Sequence, residues 1–176
     1  MKHLSTILIA IVALPVTACR LQVKPRTAIT AAPLTVDADS LCAHKKERLL
    51  CVYSKGKVAK QYHISLGGHP VGAKHFEGDN KTPEGLYHIS AKNEHSKYHL
   101  SLGVSYPCDA DRAYARKYNK STGGDVMIHG LPNGTKLPDT AFTLTDWTAG
   151  CMAVNNAEIE ELFAHVSVGT PIRIVP

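Results

Sequence analysis

The chain has 176 residues, of which 44% are hydrophobic and 6% aromatic, and a net charge of +5. That is enough mass for one domain with a buried core and too little for two of ordinary size. The charge is spread without a block of like sign or an aromatic–basic stripe, which argues against a nucleic-acid partner.

The first segment stands apart from the fold. Met1-Lys2-His3 carries a positive start, and Leu4 to Val16 is mostly apolar but too short to be read as a spanning helix. Residues 1–18 therefore read as a signal peptide. Val16-Thr17-Ala18-Cys19 resembles the bacterial lipobox, in which the cysteine is lipidated and becomes the new N-terminus. Two or more acyl chains anchor firmly, at about 0.8 kcal/mol per buried methylene. The expectation is a periplasmic protein tied to the membrane through Cys19, with Arg20 in place of an aspartate favouring the outer over the inner membrane. Residues 19–37, rich in Ala, Thr and Pro without a sustained period, read as the lipidated cysteine and a tether.

The body, residues 38–176, reads as short strands broken by turns. Cys42 and Cys51 flank the polar turn Lys45-Lys46-Glu47-Arg48; a turn centred between Lys46 and Glu47 places the two cysteines directly opposite, close enough for a disulfide. Leu49 to Tyr53 and Val58 to Leu66 form a second hairpin across Lys55-Gly56-Lys57. Residues 67–72 and 78–85 are glycine-rich loops. Leu86 to Ser90 and Leu100 to Val104 are short strands, Asp109 to Tyr118 is helical, and Val126 to Ile128 is a buried-strand run. Asn155 to Val166 is the clearest helix: Asn155 and Glu158 form a capping box, and Ile159, Leu162, Phe163 and Val166 share one face. Gly169 stops it before a final strand beginning at Pro171. The fold class is mainly β with short helices, a sandwich or open barrel.

Two residues carry the chemistry. His129 leaves the apolar run Met127-Ile128, and Cys151 leaves the turn Thr148-Ala149-Gly150, 22 positions on. A thiol becomes a strong nucleophile when a base takes its proton, and imidazole titrates in the right range to do so. The pair cannot meet within one element but can meet where two strand ends converge. His63, His69 and His75 recur every six residues, but neither HExxH nor CxxC spacing occurs, so no metal or other cofactor is expected.

Four ordered stretches resemble the catalytic domain of bacterial L,D-transpeptidases: Gly78-Asp79-Asn80-Lys81-Thr82-Pro83-Glu84-Gly85, Ser101 to Pro107, Ile128-His129-Gly130 and Asp146-Trp147-Thr148-Ala149-Gly150-Cys151. The resemblance implies a mostly β fold, a Cys151 nucleophile and a His129 acid/base oriented by the backbone carbonyl of Gly130. It also implies an oxyanion site built from the Gly150–Cys151 backbone. The substrate would be a peptidoglycan tetrapeptide stem that loses D-Ala and passes its acyl group to the amine of another stem or of an envelope lipoprotein. Tyr106, Trp147, Thr148 and His69 are candidates for the substrate-binding wall of the cleft.

Two departures from the family pattern bear on the reaction. Ala149 stands where many members have histidine, and Ala153 where many have arginine. Base chemistry then falls on His129 alone, and carboxylate recognition needs another cation, with Lys74, Lys92 and Arg112 as candidates. A hydrolase using water at the same site, an amidase or L,D-carboxypeptidase, is the alternative reading, and a catalytically silent wall-binding lipoprotein is a second.

Overall fold

The computed structural model describes residues 32–176. The signal peptide, Cys19 and most of the tether lie outside the described residues. The last part of the expected tether belongs to the body. Leu34 is buried in the main apolar cluster, its N–H donates to a Glu161 carboxylate oxygen at 3.4 Å, and the Asp37 carboxylate meets the His165 ring at 3.3 Å.

The hairpin at residues 45–48 forms in the expected register. Strand β1 (Ser40–His44) runs antiparallel to β2 (Leu49–Ser54) with Cys42 opposite Cys51, and both thiols are free in this structure. Strand β3 (Lys57–His63) returns along β2. Its expected continuation to Leu66 departs from β2, for a reason that appears at the seam below. Strand β4 (Gly85–Ser96) is longer than its alternating segment predicted, because the polar run 91–95 is solvent-exposed and shows no apolar alternation. It pairs antiparallel with β5 (His99–Val104), which leads into helix α1 (Asp109–Lys117). The N-cap of α1 is Cys108, whose N–H donates to the Asp111 carboxylate at 2.8 Å.

Strand β6 (Met127–His129), the single turn α2 (Thr140–Thr143) and the two-residue β7 (Met152–Ala153) follow. Helix α3 (Asn156–His165) is capped as expected: the Glu158 N–H donates to Asn155 Oδ1 at 2.8 Å, and the Asn155 N–H to the Glu158 carboxylate at 3.0 Å. Ile159, Leu162 and Val166 are fully buried, each side chain contributing about 1.5–3 kcal/mol. Strand β8 (Pro171–Val175) then inserts between β1, to which it is parallel, and the start of β4, to which it is antiparallel.

All eight strands form one sheet in the order β3-β2-β1-β8-β4-β5-β6-β7. The sheet curls until its two edges meet. Ser65, just past β3, forms an antiparallel bridge with Ala153 of β7 (N···O 2.9 and 2.8 Å), and Gly67 bridges to Thr148. The architecture is therefore the open barrel of the two expected alternatives, with Leu50, Val52, Tyr62, Ile89, Leu102, Ile128 and Ile174 filling its inside.

Candidate active site

The site lies at this seam, where polar contacts add to the buried Ile64, Leu66, Met152 and Val154. Asp146 takes three hydrogen bonds from the Arg48 side chain, at 3.0, 3.0 and 2.6 Å, and a fourth from the Leu66 N–H at 2.9 Å. Thr148 lies 7% exposed; its hydroxyl donates to the Cys151 carbonyl at 2.8 Å and accepts from the Gly150 N–H at 3.1 Å. Gly150 has φ +139°, and a Cβ there would sit 2.6 Å from the Lys81 carbonyl oxygen. Only glycine permits that backbone and that approach. The 78–85 loop and the nucleophile loop thus pack backbone to backbone, which explains in physical terms why both motifs occur in one chain.

His129 is held on every side. It is 2% exposed, and its Nδ1 lies 2.7 Å from the Gly130 carbonyl oxygen. A carbonyl only accepts, so Nδ1 carries the proton and Nε2 presents a lone pair. The ring packs on Tyr98 at 4.4 Å, tilted by 32°, and meets the Trp147 ring edge-on at 5.7 Å. Gly130 must be glycine because a Cβ would meet Asn156 Oδ1 at 2.7 Å, at the start of α3. Burial holds the His129 imidazole below its ordinary pKa, the Gly130 hydrogen bond opposing in part.

Cys151 sits one residue before β7. Parallel pairing of Ile128 with Met152 and His129 with Ala153 puts the Cys151 and His129 side chains on the same face of the sheet, in offset register. The two are not hydrogen-bonded here: the thiol donates to the Asp125 carbonyl at 3.5 Å. Burial pushes the thiol pKa above its ordinary value. The Met127 backbone and the Lys74 ammonium pull it down, and the Asp125 carboxylate pushes it up. Both shifts favour the neutral forms, imidazole and thiol, over an imidazolium–thiolate pair. A cleft of about 300 Å³ opens at the sulfur, bounded by Lys74, Glu77, Gly124, Asp125, Ala149 and Gly150.

The expected oxyanion donors divide. The Gly150 N–H is committed to Thr148, whereas the Cys151 N–H has no hydrogen-bond partner among the described residues. Cys151 N–H is thus the available donor, and Gly150 serves by its conformation.

None of the four expected cleft-wall residues lines the cleft at Cys151. Tyr106 is 5% exposed in the core, its hydroxyl donating to the Thr122 carbonyl at 3.2 Å and its ring edge-on to Tyr87, because a tyrosine there has both apolar cover and a polar partner. Trp147 packs behind His129 between Tyr98 and Phe142. Thr148 is spent on the nucleophile loop. His69 is exposed and turned to the 78–80 loop, with Nδ1 3.2 Å from the Asp79 carbonyl oxygen, and does not border the thiol cleft.

Sequence reasoning missed Tyr98, which the β4–β5 turn delivers to His129, and Arg48, which fixes Asp146; neither lies near the motifs in the chain. Of the three cations weighed for the missing arginine, Lys74 borders the cleft. Lys92 bonds the Phe163 carbonyl and lies over that ring at 4.5 Å, and Arg112 pairs with Asp109 on the exposed side of α1 at 2.7 Å. Among the described residues no group of His, Cys, Asp and Glu side chains is arranged to hold a metal ion.

Residues 38–174 match the YkuD family, described as the L,D-transpeptidase catalytic domain, and the chain belongs to that family. It is 29% identical over 129 residues to the Escherichia coli (strain K12) protein named "Putative L,D-transpeptidase YafK", covering 70% of this chain and 45% of that one. Its fold is similar to that of the helical cell shape determining protein Pgp2 from Campylobacter jejuni (TM-score 0.57, 26% identity, 85% of this chain and 53% of that chain). An L,D-transpeptidase from Xylanimonas cellulosilytica shares the fold at 16% identity (TM-score 0.52, 81% and 63% of the two chains). The chain spans about half the length of the first two relatives.

Proposed function

We propose that this chain is a peptidoglycan L,D-transpeptidase that forms a thioester between Cys151 and a tetrapeptide stem. The observation that carries the reading is the conjunction at the seam. A cysteine with an open backbone N–H faces a cleft, beside a histidine whose tautomer leaves Nε2 free to accept a proton.

In this reading a stem peptide in the cleft brings the thiol proton to His129 Nε2, and the sulfur attacks the carbonyl carbon that precedes the terminal D-Ala. Catalytic contacts of this kind commonly tighten only in the substrate complex. The tetrahedral oxyanion accepts from the Cys151 N–H; one such donor is worth about 3–4 kcal/mol of barrier. The C–N bond breaks, the protonated His129 donates to the departing D-Ala amine, and the thioester remains. The amine of a second stem then attacks, loses its proton to His129, and expels the thiolate. Lipidation at Cys19, a periplasmic site on the outer membrane and an envelope lipoprotein as acceptor belong to the same proposal.

The test is incubation of the purified full-length chain with tetrapeptide muropeptides, with products followed by mass. A cross-linked dimer lacking one D-Ala, absent with Cys151→Ala, is expected. Stem shortening without dimers would make water the acceptor and the protein an L,D-carboxypeptidase. Dimer formation by Cys151→Ala would refute the mechanism.

A further inference from the structure

The thiol cleft contains a buried cation that the steps above do not use. Lys74 is 5% exposed, and its Nζ donates to the Phe76 carbonyl at 3.0 Å and to the Asp79 carboxylate at 2.9 Å. An ammonium has three N–H groups, so one donor remains. Asp79 is fixed in turn by the backbone N–H groups of His75, Phe76 and Lys81, at 2.8, 2.9 and 3.1 Å. Burial alone would raise the Asp79 pKa, but these bonds and Lys74 outweigh it and hold the carboxyl below its ordinary value. The ammonium is thus pinned by an ionised partner. Its stem lies against the nucleophile loop: a Cβ on Gly150 would be 3.7 Å from Lys74 Cδ.

We propose that Lys74 is a positioning residue that stabilises the Cys151 thiolate as it forms, the electrostatic role that His129, without a hydrogen bond to the sulfur, does not fill at rest. The inference rests on Cys151 being the nucleophile. The charged groups bordering the thiol cleft are Lys74, Glu77 and Asp125, and His129 lies on the adjoining strand. Lys74 is the lysine among them, paired with Asp79 and set against the Glu77 and Asp125 carboxylates. The Asp125 carboxylate opposes thiolate formation and the Lys74 ammonium favours it. The pinning matters as much as the charge. A free lysine would swing toward any anion, whereas this one is held on the wall of the thiol cleft by Asp79 and the Phe76 carbonyl while the proton leaves. When the thiol proton moves to His129 Nε2, the new negative charge on sulfur forms in a cleft whose wall carries a fixed ammonium.

The experiment reads the thiolate directly. Iodoacetamide alkylation of the Cys151 peptide is followed by mass mapping against pH in the full-length chain, for the wild type, Lys74→Gln and Lys74→Arg. Lys74→Gln should move the midpoint up by about one pH unit and slow alkylation about tenfold at pH 7.5; Lys74→Arg should restore it to within about threefold, since the charge is kept. Should Lys74→Gln not fold, the Lys74 ammonium resonance in wild type replaces it: a titration step at the thiol midpoint, lost in Cys151→Ala, is expected. An unchanged alkylation profile, or no such step, overturns the proposal. So does a KM that rises with Lys74→Gln while the alkylation profile stays fixed, which would make Lys74 a substrate-carboxylate ligand. Muropeptide turnover by Cys151→Ala would instead sink the nucleophile assignment, and the alkylation result would stand apart from it.

Discussion

The middle of the sheet and its seam are built by different forces. At the middle, β2, β1 and β8 bury Leu50, Val52, Ala43 and Ile174 with almost no exposure, and apolar packing holds them. At the seam, where the chain leaving β3 meets β7, buried Ile64, Leu66, Met152 and Val154 are joined by charged and polar contacts: Arg48 on Asp146, Lys74 on Asp79, the Thr148 hydroxyl on its own loop. Apolar packing tolerates small shifts because it is non-directional, whereas hydrogen bonds to a carboxylate fix angle as well as distance. Cys151 and His129, the proposed reacting groups, sit in the half where such directional contacts add to the packing. Changes at the seam should therefore lower activity more than stability, and changes at the middle the reverse.

The largest effect should come from the reacting groups. Cys151→Ala and His129→Ala should each lower turnover of tetrapeptide muropeptides by at least about 10⁴-fold. For Cys151→Ala the denaturant midpoint should stay near wild type; activity within tenfold of wild type in either variant would remove its assigned role. Next is Gly150→Ala, which forces a side chain against the Lys81 carbonyl at positive φ. A loss of about 10²-fold or more in kcat/KM is expected, in line with the cost of a 1 Å misplacement.

At the middle, Ile174→Ala should cost about 2–5 kcal/mol in urea unfolding while leaving the folded fraction with normal kcat; a lost kcat with unchanged stability would erase the contrast. Asp146→Ala should reverse that pattern, with a loss of about 1–3 kcal/mol and a disproportionate fall in kcat, because Leu66 and Arg48 lose the group that sets the loop. The smallest effect is in pH. His129 is held below its ordinary value of about 6.5, so the neutral, proton-accepting form persists to lower pH. The acid limb of kcat/KM should fall below pH 6.5, and a limb above neutrality would mean that the imidazole is stabilised as a cation.

The same division decided what could be read from the chain. The capping box at Asn155 and Glu158, the apolar face of α3 and the register of Cys42 with Cys51 were legible because periodicity and a turn specify them locally. The eight-stranded order and the closure at Ser65–Ala153 were not, since they join segments far apart in sequence. His129, Cys151 and Gly130 were legible through their motifs, and the Nδ1–Gly130 hydrogen bond is present as expected. Tyr106, Trp147 and Thr148 lie within the motifs and His69 in a glycine-rich loop, but membership of a motif does not say which way a side chain points. Tyr106 turns to the core, Thr148 to its own loop and His69 to solvent, while Trp147 packs against His129. Lys74 and Tyr98 carry no motif of their own, and only the fold brings them to the site.

The most direct test is to look for the thioester. Full-length protein is mixed with a tetrapeptide stem, quenched in acid within seconds and weighed intact. The account predicts an adduct equal to the stem minus D-Ala, mapped to the Cys151 peptide, cleaved by hydroxylamine and absent from Cys151→Ala. An adduct on another cysteine, or D-Ala release undiminished in Cys151→Ala, would contradict it.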